Sequence, residues 1–113
     1  MRVGTDIVEV SRIREAIENY GESFLNRVFT ANEIDYCEGK KIAKFQHYAG
    51  RFAAKEAVFK AVNEVISIAE WKDIEVFNLD NGKPEVLVRG ERLGIDISIS
   101  HCKEYATAVA ILG

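Results

Sequence analysis

Cysteine is scarce in this sequence: there are only two, Cys37 and Cys102, far apart and in no CxxC pair. Isolated cysteines are typical of free thiols in a reducing compartment, and they exclude a disulfide scaffold. No apolar run reaches the roughly 20 residues that cross a bilayer, and the first residues show no signal-peptide pattern. We therefore expect a cytoplasmic protein without a membrane segment.

Positive charge is not in excess either. The formal net charge is −3, whereas domains that bind nucleic acid in general carry a clear basic excess, so that function class is excluded. The two common nucleotide cradles, GxxxxGK[ST] and GxGxxG after a strand, are both absent. Any phosphate chemistry must therefore use a different kind of site.

What is present predicts one globular α+β domain over residues 1–113, with no linker or repeat. A strand is expected within 3–10. Helical spacing then begins at Ser11 and stops at Gly21, and a short helix follows over 24–29. Thr30 and Glu33 match a capping box for a helix that ends at Gly39. A long central helical region should cover roughly 42–65.

Beyond residue 68 the hydrophobic period becomes two, which predicts strands over 71–77, 85–89, 95–100 and 105–112. Between the first two of these strands, residues 80–84 (DNGKP) predict a turn, because Asn-Gly accepts positive φ. The expected fold therefore has an N-terminal strand and helices, a long central helix and a C-terminal antiparallel sheet.

The central helix carries a charged pair, Glu56 and Lys60, spaced so that both share one helix face. Their simplest interpretation is an ordinary surface ion pair. His47, on the same helix, is interpreted as a partly buried helix residue.

Five polar residues are not explained by core packing: Asp6, Arg51, Glu56, Lys60 and His101. Mg²⁺ is usually held by one or two carboxylates, water and substrate phosphates, so Asp6 and Glu56 are candidate ligands. Lys60 and Arg51 are candidate phosphate contacts. The histidines and cysteines lack the spacing of zinc ligands, and His101 with the cysteine after it lacks an orienting group for a nucleophilic pair.

Five motifs follow one another along the chain: 3–8 (VGTDIV), Phe29-Thr30-x-x-Glu33, 50–61 (GRFAAKEAVFKA), 80–84 (DNGKP) and 98–101 (SISH). In this order they resemble the holo-[acyl-carrier-protein] synthases, the small bacterial 4'-phosphopantetheinyl transferase family. The resemblance implies the α+β fold of that family. It also implies Mg²⁺-dependent transfer of 4'-phosphopantetheine from coenzyme A to a serine of apo acyl carrier protein, with release of adenosine 3',5'-bisphosphate.

The resemblance implies a role for each candidate residue. Residues matching Asp6 and Glu56 hold Mg²⁺ against the coenzyme A diphosphate, and the residue matching Lys60 lies beside the phosphates, so these three are the catalytic candidates. The base that takes the serine proton stays open among Glu56, Asp6 and a metal-bound water. The family residues that line the site for the adenosine and its 3'-phosphate match Arg51, Asn81, Gly82, Lys83, Pro84 and His101.

The resemblance further implies an acidic acyl carrier protein as partner and homotrimers whose neighbouring subunits share each active site. Arg12, Arg14 and Arg27 lie on the outward faces of the predicted N-terminal helices, so they are the expected docking residues. Ordinary solvated arginines are the alternative interpretation.

Two positions depart from the family pattern. A Gly-Thr-Gly turn commonly follows the central helix, whereas residues 62–65 read VNEV here, which predicts that the helix runs further. Cys102 stands where a threonine usually follows the histidine, and cysteine is a weaker hydrogen-bond donor, so a phosphate contact is expected to be lost.

Two other functions stay open. A non-catalytic module that binds acyl carrier protein or coenzyme A would keep the fold, but it has no need of Asp6, Glu56 and Lys60 together. A Mg²⁺-dependent phosphohydrolase would use the same residues and pass water to the phosphorus.

Overall fold

The structure is a computed structural model that describes residues 1–113. Five strands form two antiparallel sheets, one ordered β1–β5–β4 and the other pairing β2 with β3. The strands are β1 (Arg2–Glu9), β2 (Ile74–Asn78), β3 (Pro84–Val88), β4 (Ile95–His101) and β5 (Tyr105–Leu112). The helices are α1 (Val10–Tyr20), α2 (Glu22–Val28), α3 (Ala31–Glu38) and α4 (Lys44–Val62). This is the α+β architecture that the sequence predicts.

Helix α4 packs across the three-stranded sheet through small residues that let the two layers approach closely. A Cβ atom at Gly4 of β1 would lie 1.9 Å from the carbonyl oxygen of Ala57, so only glycine fits there. Toward the start of the helix, a Cβ at Gly50 would lie 3.1 Å from Ile99 of β4. Helix α4 therefore crosses the sheet diagonally, with its first half over β4 and its last half over β1. The buried alanines of this layer are Ala53, Ala54, Ala57, Ala61, Ala108 and Ala110.

A buried ion pair joins the helices to β2. Lys55 Nζ lies 2.6 Å from Glu33 Oε1, and both side chains are fully buried. Lys55 also donates to the carbonyl oxygens of Val28 (2.6 Å) and Trp71 (3.4 Å), and Glu33 accepts the N–H of Val76 at 2.7 Å. Because each partner belongs to a different segment, this one pair fixes four segments around α4.

Predictions that rest on local chemistry are confirmed. The Thr30 hydroxyl accepts the N–H of Glu33 at 3.3 Å, and the Glu33 carboxylate accepts the N–H of Thr30 at 2.8 Å, which completes the capping box. Gly21 follows the last residue of α1. Gly82 takes a φ of 89° in the turn between β2 and β3, and Pro84 begins β3.

Two element starts were predicted wrongly. Trp71–Asp73 form a 3-10 turn and not the start of a strand, because Asp73 Oδ2 accepts the N–H groups of Ala69 and Glu70 and closes the chain locally. Helix α1 begins at Val10, one residue before the Ser11 start that helical spacing predicts, with Glu9 at the cap position and no side-chain capping bond.

The central helix is shorter than predicted, because residues 41–43 form a separate 3-10 turn and α4 ends at Val62. The Val62 carbonyl accepts the N–H groups of Val65 (2.9 Å) and Ile66 (2.8 Å). These bonds close a single turn, after which the chain leaves the helix. Residues 63–65 are exposed, so no packing supports a longer helix. The sequence predicts that the helix continues beyond Ala61 over residues 62–65, but of these only Val62 is helical.

The face of the three-stranded sheet that points away from α4 is open and partly apolar. Val3 and Ile7 of β1 are 61% and 67% exposed, and Tyr105 and Val109 of β5 are 46% and 37% exposed. None of the helices is both long and apolar enough to cross a membrane.

Candidate active site

Asp6, Glu56 and Lys60 come together where β1 meets the second half of α4. Asp6 pairs in register with the buried Ala108 of β5, so its side chain points to the α4 face of the sheet. Lys60 Nζ lies 3.3 Å from Asp6 Oδ1 and 2.9 Å from the carbonyl oxygen of Thr5. Glu56 and Lys60 form no ion pair with each other. The surface pair suggested by helical spacing is replaced by a contact between helix and strand.

Glu56 lies in an environment that disfavours its charge. Partial burial, followed by the negative charge of Asp6, raises the pKa of Glu56, and Lys60 opposes the shift. A divalent cation between the two carboxylates would remove this repulsion.

The donor set fits Mg²⁺ better than zinc. No group of three or more His, Cys, Asp or Glu side chains is placed to hold a metal by itself. Mg²⁺ is commonly bound by one or two carboxylates together with waters and substrate phosphates, whereas zinc needs three or four protein ligands. Asp6 and Glu56 supply two carboxylates beside a cavity large enough for a phosphorylated ligand.

That cavity has a volume of about 510 Å³, and we call it the Asp6 cleft. The Phe52 and Trp71 rings stack on one of its sides, with centroids 5.0 Å apart and planes inclined by 28°. Carboxylates and an apolar aromatic wall therefore face the same space, which suits a ligand with both a charged group and an uncharged arm. Residues that line the cleft include Asp6, Glu9, Arg12, Phe52, Glu56 and Trp71.

Arg51 belongs to a second group of residues, beside the first half of α4. Its guanidinium lies 3.7 Å from the centroid of the Tyr36 ring, and the residue is only 4% exposed. The His47 ring lies 5.7 Å from Tyr36 and 4.9 Å from His101, both edge to face. Lys40 Nζ lies 4.7 Å from the Tyr36 ring. We call these five residues the Arg51 cluster.

The Arg51 cluster is electropositive and contains an unsatisfied donor. None of the ion pairs in the structure involves Arg51, Lys40 or His101. The Arg51 Nε–H is buried and has no hydrogen-bond partner. Buried donors without a partner are rare in proteins, so the cluster has the properties of an anion subsite.

Asn78 connects this cluster to the turn at 80–84. Its Oδ1 accepts a hydrogen bond from Arg51, and its Nδ2 donates to the carbonyl oxygen of Gly82 at 2.9 Å. Asn81 Oδ1 accepts the N–H of Lys83 at 2.9 Å, which closes the turn itself. Arg51 and the predicted turn are therefore placed together, as the sequence interpretation requires.

Within one chain, the Asp6 cleft and the Arg51 cluster lie apart. Asp6 is on β1 and His101 is on β4, the two outer strands of the sheet, so their backbones are separated by roughly 10 Å or more. Helix α4 lies between them, and its rise from His47 to Lys60 is about 20 Å. The structure thus brings the predicted site residues into two groups and not into one.

Among the residues that the sequence interpretation did not select are Tyr36, His47, Trp71 and Asn78. Their contacts join different elements, and no motif marks them. Asn78 had the only local signal, since an Asn just before a glycine turn often bonds to the turn backbone.

The arginines predicted to dock a carrier protein are all exposed. Arg12 lines the Asp6 cleft, and Arg14 lies beside Glu9 and Lys103 at a neighbouring polar hollow. Arg27 lies in the last turn of α2.

The sequence matches the family model of the 4'-phosphopantetheinyl transferase superfamily over residues 2–110. The chain belongs to this superfamily. A holo-[acyl-carrier-protein] synthase of Chlamydia pneumoniae is 52% identical, with 98% of this chain and 95% of the relative covered. The enzyme of that name from Ruminiclostridium cellulolyticum is 48% identical, with 99% and 91% covered.

Solved structures of superfamily members share the fold. A holo-[acyl-carrier-protein] synthase from Helicobacter pylori in complex with coenzyme A aligns with a TM-score of 0.83 at 28% identity, covering 98% of this chain and 99% of that one. The Bacillus anthracis enzyme, in complex with coenzyme A (3',5'-ADP), aligns with a TM-score of 0.80 at 37% identity, covering 98% and 94%.

Proposed function

We propose that this chain is a holo-[acyl-carrier-protein] synthase. It transfers 4'-phosphopantetheine from coenzyme A to a serine hydroxyl of apo acyl carrier protein, and it releases adenosine 3',5'-bisphosphate. Family membership over residues 2–110 supports the assignment, and all of residues 1–113 form the proposed transferase domain. The observation that carries it is the meeting of Asp6, Glu56 and Lys60 at one cleft, which a module that only binds its ligand does not need.

In the proposed reaction, the serine Oγ attacks the phosphorus that bears pantetheine. An Oγ–P bond forms, and the P–O bond to the adenosine bisphosphate breaks. Lys60 is placed to stabilise negative charge on the departing group, since its ammonium lies beside Asp6 at the edge of the cleft. The serine proton passes to a base, and Asp6 and Glu56 are the carboxylates at the cleft that could take it.

Mg²⁺ is the proposed cofactor, held by Asp6 and Glu56 against the coenzyme A diphosphate. When bound, such an ion neutralises charge on the diphosphate and orients it for in-line attack. The rings of Phe52 and Trp71 give this cleft an apolar side that suits the uncharged pantetheine arm.

We assign the adenosine 3'-phosphate to the Arg51 cluster, which includes His101, and to the adjoining turn of Asn81, Gly82, Lys83 and Pro84. Because one chain holds the cluster and the Asp6 cleft on different sides of α4, a complete site needs two subunits. We therefore propose a homotrimer in which the cleft of one subunit faces the cluster of its neighbour. The open sheet face around Val3 and Ile7 supports such an assembly, since burial of exposed apolar area stabilises subunit contacts.

The protein partner is an acidic acyl carrier protein that docks on Arg12, Arg14 and Arg27. All three are exposed, and Arg12 lines the cleft in which the serine must arrive. Charge complementarity would steer the carrier to this side. The cytoplasm is the proposed location, because coenzyme A and carrier proteins are used there.

Intact-mass spectrometry tests the function directly. The protein is mixed with coenzyme A, Mg²⁺ and apo acyl carrier protein, and the carrier should gain the mass of one phosphopantetheinyl group. Glu56→Ala should abolish the gain, whereas Glu18→Gln, an exposed glutamate of α1, should not. No gain on any carrier protein would refute the proposal. Hydrolysed coenzyme A with an unmodified carrier would instead support the phosphohydrolase.

A further inference from the structure

Tyr36 and His47 fill the space between the cations of the Arg51 cluster. Tyr36 has the Arg51 guanidinium at 3.7 Å and Lys40 Nζ at 4.7 Å from its ring centroid. His47 contacts Tyr36 on one side and His101 on the other, at 5.7 Å and 4.9 Å between centroids. The two rings therefore form a continuous path from Arg51 to His101, which belong to different elements.

His47 acts in this path as a neutral ring. Burial, followed by the positive charges of His101, Lys40 and Arg51, lowers the pKa of His47 to about 4. At neutral pH the ring is uncharged, so it adds no charge to the cluster. A carboxylate at this place would neutralise the cluster and remove its affinity for an anion.

We propose that Tyr36 and His47 are positioning residues that hold Arg51 and His101 in place for a phosphomonoester, the 3'-phosphate of coenzyme A. The inference rests on the proposed function, because it takes coenzyme A as the ligand of the cluster. The stack on Tyr36 fixes the plane of the guanidinium, and the edge-to-face contact with His47 fixes the His101 ring. The Arg51 Nε–H is buried and has no hydrogen-bond partner within the chain.

Binding of coenzyme A and of 3'-dephospho-coenzyme A to the full-length protein, measured by isothermal titration at pH 7.5, tests the inference. His47→Ala removes the ring, and we expect the Kd for coenzyme A to rise about threefold to tenfold, as for loss of an aromatic contact. The Kd for the dephospho compound should not change. His47→Phe keeps a neutral ring and should restore the coenzyme A affinity to within about twofold of wild type. Tyr36→Phe and Tyr36→Ala should differ in the same way.

Phe45→Ala is the matched control, because it removes another half-buried ring of α4 that lies outside the cluster. It should leave both affinities unchanged. If His47→Phe and His47→Ala weaken coenzyme A binding equally, the imidazole nitrogens contact the ligand and the positioning role is refuted. If His47→Ala binds coenzyme A as wild type does, the ring has no role and the inference also fails.

The transfer assay separates failure of this inference from failure of the proposed function. A wild-type protein that modifies the carrier, but whose His47→Ala variant distinguishes the two coenzymes as strongly as wild type does, is a transferase with no role for the ring path. A wild-type protein that binds both coenzymes equally refutes the phosphate assignment of the cluster, and with it the inference. Thermal midpoints of all variants within a few degrees of wild type verify that each one is folded.

Discussion

The negative charge of Glu56 lowers the stability of the folded protein when no cation is bound. Burial and the charge of Asp6 disfavour it, so binding of a cation should stabilise the folded protein. We predict that Mg²⁺ raises the Tm of the wild type and leaves the Tm of Glu56→Gln unchanged. At a Mg²⁺ concentration of ten times its Kd, the wild type should gain about 1.4 kcal/mol in free energy of unfolding. Differential scanning fluorimetry at pH 7.5 with increasing MgCl₂ measures both.

The pH dependence of this effect has a definite sign. Protons compete with Mg²⁺ for Glu56, and the pKa of Glu56 lies above its ordinary value of 4.5. The stabilisation by Mg²⁺ should therefore decrease as the pH falls through that raised pKa, sooner than an ordinary glutamate would require. Glu18→Gln should respond to Mg²⁺ as wild type does. Equal stabilisation of Glu56→Gln would place the ion elsewhere.

The outward arginines give a second prediction about single residues. Arg12→Glu combined with Arg27→Glu should weaken binding of apo acyl carrier protein at low salt by about tenfold or more, because attraction becomes repulsion. The Arg27→Glu single variant should bind coenzyme A as wild type does, because Arg27 does not line the Asp6 cleft. Surface plasmon resonance with immobilised carrier measures the first quantity and isothermal titration the second.

Arg89→Glu makes the same charge change at an exposed arginine after β3 and serves as the control. Carrier affinity that is equal in the double variant and the wild type would show that these arginines are ordinary solvated side chains.

At the residue scale, sequence patterns identify chemistry better than they identify partners. Asp6, Glu56 and Lys60 were selected as a group, and the structure brings them together. The contact that Lys60 makes with Asp6 instead of Glu56 was not predictable, because helical spacing describes only neighbours on the same helix. Tyr36 was overlooked for the same reason, since its cation contacts come from beyond its own helix.

Among the secondary-structure elements, the Glu33–Lys55 pair links α3 and α4 and holds segments from α2 and β2. Lys55→Met would leave the Glu33 carboxylate buried without its partner, so we predict a loss of about 3–5 kcal/mol in the free energy of unfolding. Adding Glu33→Gln should recover part of this loss, because the amide carries no charge. The recovery should be incomplete, because the N–H groups of Thr30 and Val76 bond to different oxygens of Glu33 and the amide has only one carbonyl oxygen. Urea denaturation at pH 7 measures both changes.

Lys44→Met provides the comparison, since Lys44 is paired with Glu38 at 3.3 Å on the protein surface. An exposed pair contributes about 0–1 kcal/mol, so this variant should be nearly as stable as wild type. Similar losses for Lys44→Met and Lys55→Met would mean that the contribution of the Glu33–Lys55 pair to the free energy of unfolding does not depend on its burial.

Element types were predictable where local chemistry determines them. Thr30 and Glu33 cap α3, and Gly82 shapes the β2–β3 turn, because each acts on atoms a few residues away. The second role of Glu33, as the buried partner of Lys55, has no local signal. The strand predicted at Trp71 failed because alternating polarity also fits a 3-10 turn, which the Asp73 side chain closes.

For the whole molecule, a site divided between subunits predicts complementation. Glu56→Gln disables the cleft of a subunit, and Arg51→Gln with His101→Ala disables its cluster. Either protein alone should be inactive in transfer. After mixing under conditions that exchange subunits, about one quarter of the wild-type activity should return. The reason is that an intact cleft then faces an intact cluster at about one quarter of the contacts between subunits.

Mixing Glu56→Gln with Asp6→Asn provides the control, since both changes affect the cleft and no mixed contact is intact. Recovery in this mixture, or none in the first, would contradict sharing of the site. Analytical ultracentrifugation of the wild type measures the number of subunits independently.

The overall α+β layout was predictable from the change of hydrophobic period along the chain, whereas the separation of the site was not. Separation depends on the diagonal course of α4 over the sheet, in which Gly4 of β1 lies against Ala57 and Gly50 of α4 lies against Ile99 of β4. Spacing along the sequence contains no information about which side of a helix faces which strand.

The strand order also has a consequence for how the chain is made. β5 is the last strand to be synthesised, yet it is the middle strand of its sheet, with Arg2 paired to Leu112. On the ribosome, β1 therefore waits without its sheet partner until β5 has emerged. Asp6, the proposed metal ligand, acquires its final surroundings only then, because it pairs with Ala108 of β5.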